Sequence, residues 1–167
     1  MHEDAKLSDG VVTLSPLGPG APDPVPTLHR PRSRAVWRVH GPARTFGIGA
    51  GRPVGTVRLS PATTGFAHGD VELSYALLPE ARGRGFATRA VRLACAHAGA
   101  QGARRAVILV PAAGPAAAPG GSSSALAAAS AVSASAVARR AGFVRRGQIS
   151  HADGTLWDWY VRLLTSP

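Results

Sequence analysis

The chain is 167 residues long, enough to bury a core as one domain, and its single cysteine, Cys95, excludes an intrachain disulfide framework while the lack of CxxC or Cys/His spacing excludes the usual zinc sites. The net charge of +10 suits a polyanionic partner, yet Lys6 is the only lysine and aromatics are 5% of residues, so the arginine excess reads as compositional drift with few rings for stacking bases, and nucleic acid is an unlikely partner. The acidic start MHEDAKLSDG lacks the apolar stretch of a secretory signal and no run of about 18 apolar residues occurs, which predicts a cytoplasmic protein with no membrane partner.

In chain order, GVVTLSPL (10–17) carries Val12, Leu14 and Leu17 between small polar residues and predicts a first strand. From Pro16 to Pro42 seven of the fourteen prolines interrupt the chain, forbidding a long helix; only SRAVWRVHG, around Trp37, could form a helical turn or short strand. A hairpin follows, with strands at Thr45–Ile48 and Val54–Leu59 about a turn at Gly49–Arg52. In GDVELSYALL (69–78), Val71, Leu73, Tyr75 and Leu77 alternate with Glu72, Ser74 and Ala76, the two-residue period of a strand. Three strands with no helix between them predict an antiparallel meander.

The period then changes. Ala87, Ala90, Val91, Ala94, Cys95 and Ala98 form one helical stripe from Phe86 onward, with Gly99 as the expected C-terminal cap. RRAVILVP (104–111) is a continuous apolar strand, so strand, helix and strand form a crossover and the sheet is mixed. PAAGPAAAPGGSS (111–123) predicts a flexible low-complexity loop, and the alanine-rich stretch after it a helix within 124–141, capped by Ser124 and ended by Gly142. FVRRGQI, the turn HADG and TLWDWYVRLL predict a closing hairpin.

Between the alternating strand and the amphipathic helix lies LLPEARGRGFATRAV (77–91). A glycine turn opening a helix is an anion site, because the first amides have no intrahelical partner, the dipole favours negative charge and glycine admits close approach. The P-loop pattern fails for want of GK[ST], and the dinucleotide fingerprint for want of a third glycine: Ala87 and Thr88 follow instead.

Arg82, Gly85 and Ala87 match R/Q-x-x-G-x-G/A, and in this the chain resembles the GCN5-related N-acetyltransferases. LSDGVVTLSPL, GRPVGTVRL, DVELSYALLPEARGRGFATRAVRLACAHA, VARRAGFVRRG and DWYVRLL follow the order and approximate spacing of their RimJ/RimL-type ribosomal-protein branch. The resemblance implies an α+β fold, a mixed and mostly antiparallel twisted sheet flanked by helices, and direct acetyl transfer from acetyl-CoA to a primary amine, with no metal. It implies that the backbone of Arg82, Gly83, Arg84, Gly85, Phe86 and Ala87 binds the pyrophosphate, with Thr88 near a phosphate, and that Ala76, Leu77 and Leu78 pair with pantetheine. It leaves a homodimer open, and the amine acceptor is a small molecule or a peptide N-terminus.

For the base the resemblance points to Glu72, against the plainer reading of a solvated strand carboxylate opposite an arginine; Asp70, expected in the preceding turn, is second. The alternation of Tyr75 with Leu73 and Leu77 assigns it first to the core. His68, His97 and His151 are assigned structural or surface roles, and the alternating Trp157 and Trp159 to core packing before an acceptor pocket. Two departures stand out. The prolines interrupt the region of the family's early helices, and where the branch has N-x-x-S and then a tyrosine this chain has Ala131, Ala134 and Ala138. Ser133 and Ser135 are the candidate substitutes, and a non-catalytic binding module of the same fold is the alternative reading.

Overall fold

The computed structural model describes residues 6–18, 43–62, 69–112, 122–150, 154 and 156–164, with the backbone alone for 122–130. The elements are β1 (Leu7–Ser8), β2 (Thr13–Pro16), β3 (Arg44–Gly49), β4 (Pro53–Pro61), β5 (Asp70–Leu77), α1 (Phe86–Ala100), β6 (Arg105–Pro111), α2 (Ser122–Arg140), β7 (Val144–Ser150) and β8 (Leu156–Leu163). The strands form one sheet in the order β1-β2-β3-β4-β5-β6-β8-β7. Every neighbouring pair is antiparallel except β5 and β6. The mixed α+β architecture expected from the period changes is the one observed.

Register fixes which side chains share a face. Leu14, Ile48, Gly55 and Leu77 make one row across the sheet, and Phe46, Val57 and Tyr75 the next. The Phe46 ring meets His97 of α1 edge-on, centroids 5.4 Å apart, and the Tyr75 hydroxyl reaches the Ala134 carbonyl of α2, so both helices cover this face. That follows from chirality: β5-α1-β6 and β6-α2-β7 advance in the same direction along the sheet, and right-handed crossovers then fall on the same side. The core lies between, where the α1 stripe of Ala87, Ala90, Val91, Ala94, Cys95 and Ala98 is buried on Leu14, Phe46, Val57 and Leu73. Small side chains on the stripe let the helix approach closely, so most of the buried bulk comes from the strands.

The C-terminal end of α2 is fastened by arginines. Arg92 of α1 donates to the Arg140 carbonyl and Arg162 of β8 to that of Ala141 at 2.7 Å, supplying partners to helix-end carbonyls that have none within the helix. Gly142, at φ +87°, turns the chain out of the helix as expected.

Three local expectations are corrected. Gly99 lies inside α1, which runs on to Ala100; Gln101 is the C-cap and Gly102, at φ +87°, makes the left-handed exit. Ser124 cannot cap α2, which already starts at Ser122. A two-residue strand, β1, precedes the expected first strand and pairs with it. The segment around Trp37, most of the loop at 111–123, His68 and His151 lie outside the described residues. Among the described residues no helix is long and apolar enough to cross a membrane.

Candidate active site

The glycine turn is built from the end of β5. The Leu78 amide donates to the Val54 carbonyl at 2.9 Å, a single 3₁₀ turn follows at Pro79–Ala81, and Arg82 Nε donates back to the Leu77 carbonyl at 3.3 Å. Gly83 and Gly85 then take φ +75° and +78°, a region that costs other L-residues about 1–2 kcal/mol. Beyond the flanking residues, no atom lies within 4 Å of where a Cβ would stand on either glycine, so both exposed glycines face open space. Gly85 is the N-cap of α1, and the first intrahelical bond runs from Arg89 N to Gly85 O at 3.2 Å. The amides of Gly85, Phe86, Ala87 and Thr88 are therefore the donors that a helix start leaves without an intrahelical acceptor. With exposed Arg82 and Arg84 beside them and the positive end of the helix dipole behind, they fit a diphosphate.

Next to the turn the sheet divides. β5 and β6 pair only at Asp70–Arg105, Val71–Ala106 and Glu72–Val107, although both strands continue, whereas β4 stays paired with β5 as far as Leu77. The β5 edge beyond Glu72, including Ala76 and Leu77, is thus released from β6, leaving backbone groups available to an extended ligand. Gly55 makes this end of β5 possible: a Cβ there would run into the Ala76 carbonyl oxygen and stand 3.0 Å from Leu77 Cα. The glycine in GRPVGTV was the signal for that close approach, which the sequence reading passed over.

Glu72 occupies the last paired position of β5, at the apex of this division, and is 6% exposed. It is therefore no solvated carboxylate, and its cross-strand neighbour on β4 is Ser60 rather than an arginine. Alternation puts it on the face away from the helices. Asp70 is not in a turn but starts β5, buried, and accepts both Arg105 Nε at 2.8 Å and Nη2 at 2.7 Å. That bidentate pair clasps β5 to β6 and commits Asp70 to structure. Tyr75 stands on the released part of β5 on the helix side. Its hydroxyl donates to the Ala134 carbonyl at 3.4 Å, and burial drives its pKa well above the ordinary phenol value. Burial likewise pushes the Cys95 thiol up to about 11, which leaves no thiolate nucleophile there at neutral pH.

On α2 the inward positions are Ala131, Ala134 and Ala138, the first and last fully buried. Ser135 is half-buried, about 40° round the helix from Ala131; Ser133 is exposed and about 200° away, so the fold does not bring it to the inward stripe. Trp157 and Trp159 are half-buried on the face shared with Glu72, where they stand in register with Pro111 and Leu109 rather than in the core under the helices.

A family model described as the acetyltransferase (GNAT) family matches residues 19–118. No curated protein matches by sequence. Among solved structures, the chain is similar to RimL, a ribosomal alpha-N-protein acetyltransferase in complex with coenzyme A, at 17% identity and TM-score 0.56, over 75% of this chain and 64% of that one. A spermidine N-acetyltransferase SpeG variant from Vibrio cholerae matches at 17% identity and TM-score 0.54, over 73% of this chain and 64% of that one. The microcin self immunity acetyltransferase MccE, in complex with acetyl-CoA and AMP, matches at 19% identity and TM-score 0.53, over 72% and 61%. The chain spans less than two thirds of each of these relatives, and at such identities the likeness is one of fold.

Proposed function

The chain belongs to the acetyltransferase (GNAT) family, and from that premise we propose that it carries an acetyl group from acetyl-CoA directly to a primary amine, on a peptide N-terminus or a small molecule. The observation that carries this reading is the open glycine turn at Gly83 and Gly85 set against the released edge of β5. Acetyl-CoA brings the activated thioester. The amides of Gly85 to Thr88 hold its diphosphate, with Arg82 and Arg84 adding charge, and the backbone of Ala76, Leu77 and Leu78 aligns the pantetheine arm toward the apex of the cleft.

Glu72 takes the proton that the amine must lose before its lone pair can attack, a role suited to a buried carboxylate at that apex. Ser135, beside the inward stripe, is better placed than Ser133 to serve from α2. The acceptor class is supported by the neighbours, one described as an alpha-N-protein acetyltransferase and another as a spermidine N-acetyltransferase. A second reading, a CoA-binding module without turnover, is favoured by the alanines at the inward positions of α2. Thiol release from acetyl-CoA across a panel of amines and peptides separates the two: release with any member supports transfer, and tight acetyl-CoA binding with no release throughout favours the module.

A further inference from the structure

We propose that Arg58 selects the acceptor, and that the amine this chain takes carries a carboxylate a few bonds away, as at the N-terminus of a peptide whose second residue is acidic. The assignment rests on the acetyl-transfer reading above, with Glu72 as its base. Strand β4 is buried from Val54 to Leu59 except at Arg58, which is exposed. Register and alternation place Arg58 on the face away from the helices, directly across from Thr45 of β3 and Ser74 of β5. Glu72 lies on the same face one row along, opposite Ser60, so Arg58 is its diagonal neighbour at roughly 7–8 Å. Thr56 and Glu72, to either side of Arg58 on that face, are buried, and Arg58 stands where the face opens to solvent.

The row Thr45, Arg58, Ser74 can hold a carboxylate. A guanidinium is flanked by two half-buried hydroxyls, and together they offer donors to both oxygens. Arg105 is taken by Asp70 and Arg145 by Asp158, whereas Arg58 has no ion-pair partner among the described residues. Ser74 belongs to the part of β5 that β6 has released, so the row borders the cleft and shares its acceptor side with Glu72.

Charge decides the class of acceptor. The guanidinium disfavours an ammonium beside it, which helps the amine at Glu72 to lose its proton and repels an acceptor with further ammonium groups. A carboxylate on the acceptor offsets that repulsion by pairing with Arg58, and the net charge of +10 steers such a molecule inward. The diagonal spacing suits an amine and a carboxylate several bonds apart better than the single carbon between them in a free amino acid. A polyamine would meet a guanidinium where it needs a carboxylate.

Thiol release from acetyl-CoA, measured with the C-terminally amidated peptides Ala-Asp-Ala-Ala, Ala-Asn-Ala-Ala and Ala-Lys-Ala-Ala, with free aspartate and with spermidine, tests the assignment. Wild type should use the Asp peptide about tenfold better than the Asn peptide, mainly through KM, with the Lys peptide and spermidine poorer still. Arg58→Ala should bring the Asp-to-Asn ratio to near one with acetyl-CoA affinity unchanged by calorimetry, and Arg58→Glu should move the preference to the Lys peptide. A merely solvated arginine would leave the ratio where it was. Equal use of the Asp and Asn peptides by wild type overturns the assignment, as does an unchanged ratio in Arg58→Ala or faster transfer to free aspartate or spermidine than to the Asp peptide. Wild type that binds acetyl-CoA yet acetylates none of the peptides also overturns it while leaving the cofactor site standing. Wild type that does not bind acetyl-CoA fails the acetyl-transfer reading itself, and this assignment with it.

Discussion

Single residues in this chain separate chemistry from architecture by where the strand places their carboxylates. Asp70 and Glu72 are two positions apart on β5 and both buried, yet Asp70 is bound bidentately by Arg105 while Glu72 sits where the pairing with β6 stops. Only the second stands beside an open strand edge. Replacing Glu72 with Gln keeps the shape and removes the proposed base, so turnover should fall about 10²- to 10⁴-fold while acetyl-CoA affinity, read by calorimetry, stays within a few-fold. Equal turnover would remove Glu72 from the mechanism. Asp9 illustrates a carboxylate with a purely structural task. It accepts the amides of Val12 at 2.8 Å and Val11 at 2.9 Å and pairs with Arg89 of α1 at 2.9 Å, and the Val12 amide above all, against the opposing effect of burial, holds its pKa at about 2 rather than 3.8. A depressed carboxylate stabilises the fold above its ordinary pKa and loses that contribution as pH falls. Asp9→Ala should therefore cost about 1 kcal/mol near neutrality, after discounting for exposure, and the difference in melting temperature from wild type should narrow between pH 4 and pH 2.

Elements with a strong period were legible in the sequence, and those fixed by distant contacts were not. The alternation through β5 and the alanine stripe of α1 each matched one template over many residues, and both elements stand where they were expected. β1 is two residues long and has no period to read. Gly99 was the helix exit expected from the sequence, but it is buried within α1 and the left-handed exit falls to Gly102, which local chemistry around Gly99 did not signal. The division between β5 and β6 left no mark either, since the apolar run AVILV continues past the point where pairing ends. The glycine turn, by contrast, was visible as a motif because positive φ restricts residue choice locally. Its function can be tested through the same property: Gly85→Glu puts a side chain and a negative charge into the open turn and should abolish acetyl-CoA binding with the fold retained by circular dichroism. Gly55→Ala probes the neighbouring edge. The Cβ meets backbone rather than a flexible side chain, so β4 and the end of β5 must separate, with about 2–3 kcal/mol lost and weaker cofactor binding as Leu77 and Leu78 shift.

For the whole molecule, the sheet consists of two antiparallel blocks, β1 to β5 and β6 with β8 and β7, joined edge to edge by only three parallel residue pairs. Such a junction is weak as a ladder. The crossover helices reinforce it from one side, through the α1 stripe and the arginine bonds at the end of α2, and the Arg105–Asp70 pair reinforces it at the level of the strands. The cleft can open beyond Glu72 because the junction is clasped before it. Arg105 is partly exposed, but the Asp70 side chain is only 2% exposed, so the two halves of the pair respond differently to mutation. Arg105→Ala leaves a buried carboxylate without its guanidinium, which should cost about 3–5 kcal/mol, or roughly 10 °C in melting temperature for a chain of this length. Asp70→Asn leaves no buried charge and keeps an acceptor for the arginine, so it should cost less. If the pair also sets the opening of the cleft, Arg105→Ala should weaken acetyl-CoA binding at temperatures where the variant is still fully folded. A thermal melt combined with calorimetry well below the transition separates the two effects: lost stability with unchanged affinity would confine the pair to holding the blocks together, and loss of both would make the junction part of the binding site's geometry.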